Sequence, residues 1–165
     1  PICETWTFAH NGQLEEIFDK LTLSKRYTPV GTTDSEYIFC WLLGCIAEKF
    51  GDQKPQNVNV IWDYVYELTH TLHASGVCNF MLSDGHSLVS HCSNNLHWIT
   101  RRAPFGPALL KDIAVTVDFA EETTPNDVVT VLATEPLTTN ETWTKMRPKE
   151  MLVWEDGEIT IRYVK

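Results

Sequence analysis

The sequence predicts an α+β domain in which helices cover antiparallel sheets, and three observations carry that prediction. The first half holds two long stretches of helical periodicity, Ser35 to Phe50 and Val58 to Ala74. The second half holds short apolar runs separated by turn residues, with Asp-Gly pairs at Asp84-Gly85 and Asp156-Gly157 that mark hairpins. At 165 residues and 43% hydrophobic content, the chain is long enough for one core and needs no second domain.

Each element follows from local pattern. Thr5 to Ala9 is short and alternates aromatic with small residues, which predicts a buried strand that ends in a turn at Asn11-Gly12. Leu14, Ile17, Phe18 and Leu21 share one face of a short helix, and Pro29 and Gly31 put Lys25 to Thr32 in a loop. In the first long helix Ile38, Phe39, Leu42, Leu43 and Ile46 repeat with the helical period, and Gly51 supplies a stop. Its acidic residues stand at the start and Lys49 near the end, as the helix dipole prefers. Pro55 places 52–57 in a loop, after which Val58, Ile61, Trp62, Val65, Leu68 and Leu72 form the inner face of a helix ended by Gly76. Strands are predicted over 77–82, 87–91, 96–100 and 127–134, with a closing hairpin of 151–154 and 159–163. Trp6 and Trp62 read as core.

Composition excludes several function classes. A net charge of −9 leaves no basic face for nucleic acid or an anionic membrane, and Arg101-Arg102 is too short a run to make one. No apolar stretch approaches the roughly 20 residues that span a bilayer. Cys3, Cys40, Cys45, Cys78 and Cys92 are odd in number and lack metal-type spacing, which predicts reduced thiols and a cytoplasmic location. His70 and His73 lie three apart on a helix, but no third ligand is nearby, so no metal is expected. Pro1 is not an initiator Met, and upstream sequence is expected.

The chemistry concentrates near the start. Asn11-Gly12 after an apolar run can present a side-chain amide and a backbone N–H in one direction, a donor pair suited to an oxyanion. Asp34, where loop gives way to helix, is placed to hold an ammonium group. Taken alone each feature has a plain reading: Asn-Gly is a turn dipeptide, and Thr33-x-x-Glu36 is a capping box that accounts for Thr33, Asp34 and Glu36. The functional reading rests on both segments occurring in this order and at this separation.

Trp6-Thr7-Phe8-Ala9-His10-Asn11-Gly12, followed by Gly31-Thr32-Thr33-Asp34-Ser35-Glu36, resembles the glutaminase domain of class II glutamine amidotransferases, which are N-terminal-nucleophile hydrolases. Segments Asn79 to Gly85, Leu96 to Gly106 and Thr134 to Leu137 are similar to the YafJ-like stand-alone branch, so the likeness covers essentially the whole chain. The resemblance implies a four-layer αββα sandwich of antiparallel sheets covered by helices, here incomplete at the N-terminus. It makes residues 1–165 the C-terminal portion of a glutaminase domain.

In that family an N-terminal cysteine, with its own α-amino group as base, attacks the side-chain amide of glutamine to give a γ-glutamyl thioester and ammonia. By resemblance Asn11 and Gly12 are the catalytic oxyanion donors, and Asp34 binds the α-ammonium with help from the Gly12 carbonyl in a substrate pocket that includes His10. No cofactor is implied. The family's cysteine, its carboxylate-binding arginine and a Thr-His before a proline all lie upstream of this chain, with Pro1 in the place of that proline. Cys3 is no substitute, having no free α-amino group. The expectation is an active parent glutaminase and an inactive 165-residue piece. Its partners would be glutamine or a γ-glutamyl small molecule, the missing N-terminal segment, and a possible subunit that accepts ammonia. The alternative is a non-catalytic γ-glutamyl-binding or regulatory module. Arg101 and Arg102, beside Trp98, either line the mouth of the site or pair with surface carboxylates; Glu135 and Glu141 recur in the branch without an assigned role.

Overall fold

The computed structural model describes residues 5–52, 55–112, 116–118 and 124–164. Strand β1 (Thr7–Leu14) leads into helices α1 (Ile17–Lys20), α2 (Asp34–Phe50) and α3 (Asn59–Leu72). Strands β2 (Gly76–Ser83), β3 (Leu88–His91), β4 (His97–Arg102), β5 (Pro107–Leu109) and β6 (Thr116–Asp118) follow. The chain then forms β7 (Val128–Ala133), β8 (Thr144–Lys145), β9 (Met151–Glu155) and β10 (Glu158–Tyr163).

A five-stranded antiparallel sheet, ordered β1-β2-β3-β9-β10, is the centre of the fold. Helices α2 and α3 bury Ile38, Leu42, Ile46, Ile61, Trp62 and Val65 against one face, where they meet Phe80, Leu82, Val89, Met151 and Val153. The other face packs Leu152 and Trp154 with Leu96, Met146, Trp98 and Leu132, which belong to or flank a three-stranded sheet ordered β7-β4-β8. A strand buried on both faces reads as a continuous apolar run, which is why Met151-Leu152-Val153-Trp154 does not alternate. The predicted helices over antiparallel sheets are thus observed, with the described residues building the helix–sheet–sheet part of an αββα sandwich.

Local chemistry sets the boundaries. Thr33 Oγ1 caps α2 by accepting from the Glu36 amide at 3.2 Å, while the Glu36 carboxylate reaches back to the amides of Val30 and Gly31, both at 2.7 Å. In the hairpin from β2 to β3, Asp84 Oδ1 accepts from the His86 and Ser87 amides at 2.9 and 2.8 Å. Asp156 and Gly157 both have positive φ (50° and 79°), as a type I′ turn between β9 and β10 requires.

Three expectations need correction. Asn11-Gly12 is no turn: β1 runs straight through it, paired with Cys78 and Asn79 of β2. Among the described residues the strand is an edge, half exposed rather than buried, because helices cover only the face that carries Phe8 and His10. The short helix is confined to Ile17–Lys20, since Leu14 belongs to the strand.

Candidate active site

The two segments singled out in the sequence meet at the edge of β1 that no described strand pairs with. Ladder geometry decides what that edge offers. The Glu15 amide donates to the Ser75 carbonyl at 2.9 Å, one step beyond the ladder pair Leu14↔Gly76. Hydrogen-bonded and non-hydrogen-bonded pairs alternate in an antiparallel ladder, so Leu14↔Gly76 and Gly12↔Cys78 are of the second kind. Their N–H groups therefore point away from β2. The Leu14 amide agrees with this phase by donating to Asp34 Oδ2 at 3.0 Å.

Asp34 is the first residue of α2 and is half-buried. Its Oδ1 accepts from the Ser35 amide at 2.8 Å, so both carboxylate oxygens are oriented by backbone donors and keep lone pairs for a further partner. Ser35 also ties the helix to the strand, its hydroxyl 2.9 Å from His10 Nδ1. The other ring nitrogen of His10, Nε2, faces the Val77 carbonyl at 3.4 Å. His10 thereby links β1 to the start of α2, and its ring is occupied by protein partners.

Gly12 is required here by proximity rather than by a turn. A Cβ at this position would lie 2.0 Å from the Val77 carbonyl oxygen, and φ is +155°. Gly76 makes the reciprocal approach on β2, where a Cβ would lie 2.4 Å from the Gln13 carbonyl oxygen. The strands come together closely at the point where the donors are displayed.

Asn11 faces the opposite side, toward the second sheet. A cavity of about 110 Å³ opens there, between Ala9, Asn11, Asn79 and Met81 on one side and Leu96, Ala133 and Thr134 on the other. The Asn11 carboxamide makes no hydrogen bond among the described residues and is exposed to this space. Asn79, directly across the ladder from Asn11, is 3% exposed and organises the surroundings. Its Oδ1 accepts from the amides of Ser93, Asn94 and Asn95 at 2.9, 3.2 and 3.3 Å. Its Nδ2 donates to the Asn11 carbonyl at 3.1 Å and to Asn94 Oδ1 at 2.9 Å. Asn95 continues the chain of contacts, its Nδ2 donating to the Thr134 carbonyl at 2.7 Å. Sequence reasoning gave Asn79 no role; its one signal is a polar residue inside the apolar run Val77 to Leu82.

No described cysteine is set up as a nucleophile beside these donors. Cys78 pairs with Gly12 across the ladder, but burial, aided by the Asp34 charge, pushes its thiol up to about 12. Burial raises Cys45 and Cys92 to about 11, and Cys40 is also raised. Cys3 lies outside the described residues.

The remaining candidates fall outside the site. Arg101 forms a two-pronged pair with Glu141 at 2.7 and 2.6 Å, and Glu141 also accepts from the Thr138 hydroxyl, which in turn accepts from Trp143 Nε1. Arg102 pairs with Glu158, and Lys111 pairs with Glu135. Charge pairing is thus the observed role of the Arg101-Arg102 dipeptide, and neither residue lines the cavity. His70 is exposed against the Glu67 carbonyl, while His73 Nε2 meets His91 Nε2 at 3.0 Å; among the described residues no cluster could hold a metal. No described helix is long and apolar enough to cross a membrane.

Comparison with known proteins gives the family. Residues 2–165 match the family described as glutamine amidotransferases class-II. YafJ of Escherichia coli (strain K12), named as a candidate glutamine amidotransferase, is 50% identical over 153 residues, which cover 93% of this chain and 59% of YafJ. A relative from Haemophilus influenzae, named in the same way, is 37% identical over 155 residues, 94% of this chain and 51% of its own. The chain therefore spans somewhat more than half the length of these curated relatives. A crystal structure from Pseudomonas aeruginosa PA01, described as that of a predicted glutamine amidotransferase, superposes with a TM-score of 0.81 at 48% identity, covering 94% of this chain and 60% of that one. A class-II domain protein from Silicibacter pomeroyi shares the fold alone, with a TM-score of 0.53 at 21% identity over 96% of this chain and 66% of that one. With a family match along nearly its entire length and the paired Asn-Gly and Asp segments joined at one strand edge, the chain belongs to the class II glutamine amidotransferases.

Proposed function

We propose that the parent of this chain cleaves the γ-amide of glutamine, or of a related γ-glutamyl compound, through a thioester on a cysteine carried by a segment that precedes Pro1. Residues 1–165 then form the C-terminal portion of a glutaminase domain, supply the oxyanion donors and the ammonium clamp, and do not turn over by themselves. The observation that carries this reading is the hydrogen bond from the Leu14 amide to Asp34, which sets the carboxylate on the same strand edge as the Gly12 N–H.

Distances support it. Gly12 and Leu14 are two residues apart, about 7 Å along a strand. In extended glutamine the α-nitrogen and the side-chain carbonyl carbon are separated by four bonds, about 5 Å. A glutamyl group laid along the edge can thus place its ammonium at Asp34 and its carbonyl at Gly12. When the thiolate adds to that carbonyl, the oxygen becomes an anion and gains the Gly12 N–H and the Asn11 carboxamide as donors. Donors fixed before the reaction stabilise the tetrahedral intermediate more than the ground state, which lowers the barrier. His10 holds the edge of β1 to the start of α2, keeping the two subsites in register. Asp34 supplies one negative charge to a substrate that brings one positive charge, so a γ-glutamyl group with a blocked α-amine should bind poorly. The four described cysteines are free thiols, which suits the reducing cytoplasm.

The test is ammonia release from glutamine by the full-length parent and by residues 1–165 alone. Turnover by the parent and none by the piece supports the reading. A parent inert toward glutamine and toward γ-glutamyl amides rejects it, leaving a γ-glutamyl-binding module.

A further inference from the structure

We propose that His91 is a positioning residue for the proposed oxyanion donor at Gly12, acting through the Cys78 carbonyl on the strand segment that faces this glycine. The inference rests on the reading of Gly12 given above, and extends it to a residue on the far side of β2.

Gly12 lacks the usual means of being held. It has no side chain, and Gly12↔Cys78 is a non-hydrogen-bonded pair, so no ladder bond joins the two residues. The direction of its N–H follows the close approach of β2, where a Cβ on Gly12 would lie 2.0 Å from the Val77 carbonyl oxygen. Whatever fixes Val77 and Cys78 therefore fixes Gly12.

Cys78 needs a partner because strand pairing stops short of it. By the same alternation its N–H and C=O point away from β1, toward β3. The ladder of β2 with β3 begins at Phe80↔His91, and the chain beyond β3 turns its Ser93, Asn94 and Asn95 amides to the Asn79 side chain instead. The His91 side chain, fully buried, takes the place of the missing strand, with Nδ1 at 3.0 Å from the Cys78 carbonyl oxygen. A carbonyl only accepts, so Nδ1 donates and the lone pair of the neutral ring lies on Nε2. That atom faces Nε2 of His73, the C-cap of α3, at 3.0 Å, so His73 donates the second bond. Burial lowers His91 from 6.5 to about 3, which keeps the ring neutral at pH 7. Stacking on Phe80 and on His73, each with ring centres 5.0 Å apart, fixes the plane of the imidazole.

The end of α3 is thus tied through His73, His91 and Cys78 to the strand position opposite Gly12. From the other face of the sheet Asn79 holds the Asn11 carbonyl at 3.1 Å, so β1 is held at this point from both sides.

The experiment is steady-state kinetics of the full-length parent with glutamine, expressed per folded molecule by circular dichroism. His91→Phe keeps a ring on Phe80 and removes the donor to Cys78, whereas His91→Asn places an amide N–H near the position of Nδ1. A small displacement of a preorganised donor is expensive in the transition state, so His91→Phe should lower kcat by about tenfold with KM within about twofold of wild type. KM is spared because Asp34 is held by the Leu14 and Ser35 amides rather than by Cys78. His91→Asn should recover most of the loss in kcat. A merely structural role would lower Tm and leave kcat per folded molecule unchanged. If His91→Phe does not fold, His73→Leu at its half-buried position carries the test, with an expected fall in kcat of about threefold and KM again unchanged. Turnover of glutamine with kcat unaltered in the folded variant, with a loss confined to KM, or with His91→Asn as impaired as His91→Phe overturns this inference and leaves the proposed function intact. A wild-type parent inert toward glutamine and every γ-glutamyl amide overturns both.

Discussion

Replacing Asn79 with alanine removes one acceptor shared by three backbone amides and the donor that holds the Asn11 carbonyl. Asn94 is exposed, so its amide regains a water; Ser93 and Asn95 are half-buried and do so less well. Two poorly satisfied amides at about 1–2 kcal/mol each give a loss of about 2–4 kcal/mol. For a chain of this size each kcal/mol moves the melting temperature by about 2–4 °C, so Tm should fall by about 5–15 °C. Urea unfolding followed by tryptophan fluorescence reads the free energy directly, with six tryptophans in the chain as reporters. Asn79→Asp separates the two functions of the amide, because it keeps the acceptor for the loop but turns a negative oxygen toward the Asn11 carbonyl and Asn94 Oδ1. Its stability should lie between wild type and Asn79→Ala. In the parent, both substitutions should lower kcat more than they raise KM if the strand they loosen bears the proposed oxyanion donors. A change below about 0.5 kcal/mol for Asn79→Ala, typical of an uninvolved surface site, would refute the assignment of Asn79 as the link between β1 and the loop at 93–95.

Three further outcomes follow from the same structure. Gly12→Ala must displace the Val77 carbonyl from 2.0 Å, and should destabilise the chain by about 1–3 kcal/mol in the same urea assay. Glu141→Gln removes the charge partner of Arg101 in a pair that is 15% and 18% exposed, and should cost about 2–3 kcal/mol at neutral pH. The Arg101 hydrogen bonds hold the Glu141 carboxyl below the ordinary glutamate range, so its contribution is present above the unfolded value of 4.5 and is lost as pH falls through the lower folded value; Glu141→Gln should flatten the acid side of the stability curve there. Burial lowers His91 from 6.5 to about 3, which makes stability fall as pH drops through that window while the unfolded chain takes up the proton; His91→Gln should remove that slope, measured by urea unfolding at pH 7, 5 and 4.

The sequence was most legible where a local pattern and a tertiary demand coincide. Helix α2 shows its period, its Thr33 cap and its Gly51 stop, and the turn at Asp156-Gly157 needs only its own backbone. It was least legible where distant contacts decide. Asn11-Gly12 carries the strongest turn signal in its region, yet Gly12 is needed because β2 approaches within a Cβ radius, which the dipeptide does not encode. The short ribbon β5–β6 contains Pro107 and has only three residues per strand, too few for alternation to mark it; Asn140, from a later loop, brackets it through the Pro107 carbonyl and the Leu109 amide, both at 2.8 Å. The strand β8 is two residues long and exists only by pairing with β4. For the candidate site, Asn11, Gly12 and Asp34 were singled out because two segments together resemble a family, and the structure brings those segments to one strand through the Leu14 amide. Asn79 escaped because its role lies entirely in partners at 11 and 93–95, and the Arg101–Glu141 pair because 40 residues separate its members.

The central claim is that Asn11 and Gly12 stabilise an oxyanion on a glutamyl group held by Asp34. Steady-state kinetics of the full-length parent with glutamine, comparing wild type with Asn11→Ala, test it most directly. Asn11 is exposed and makes no side-chain hydrogen bond among the described residues, so the substitution leaves the fold intact. The account predicts a fall in kcat of about 100-fold or more with KM little changed, the signature of a donor that acts only in the transition state. An unchanged kcat, or a loss confined to KM, would contradict it.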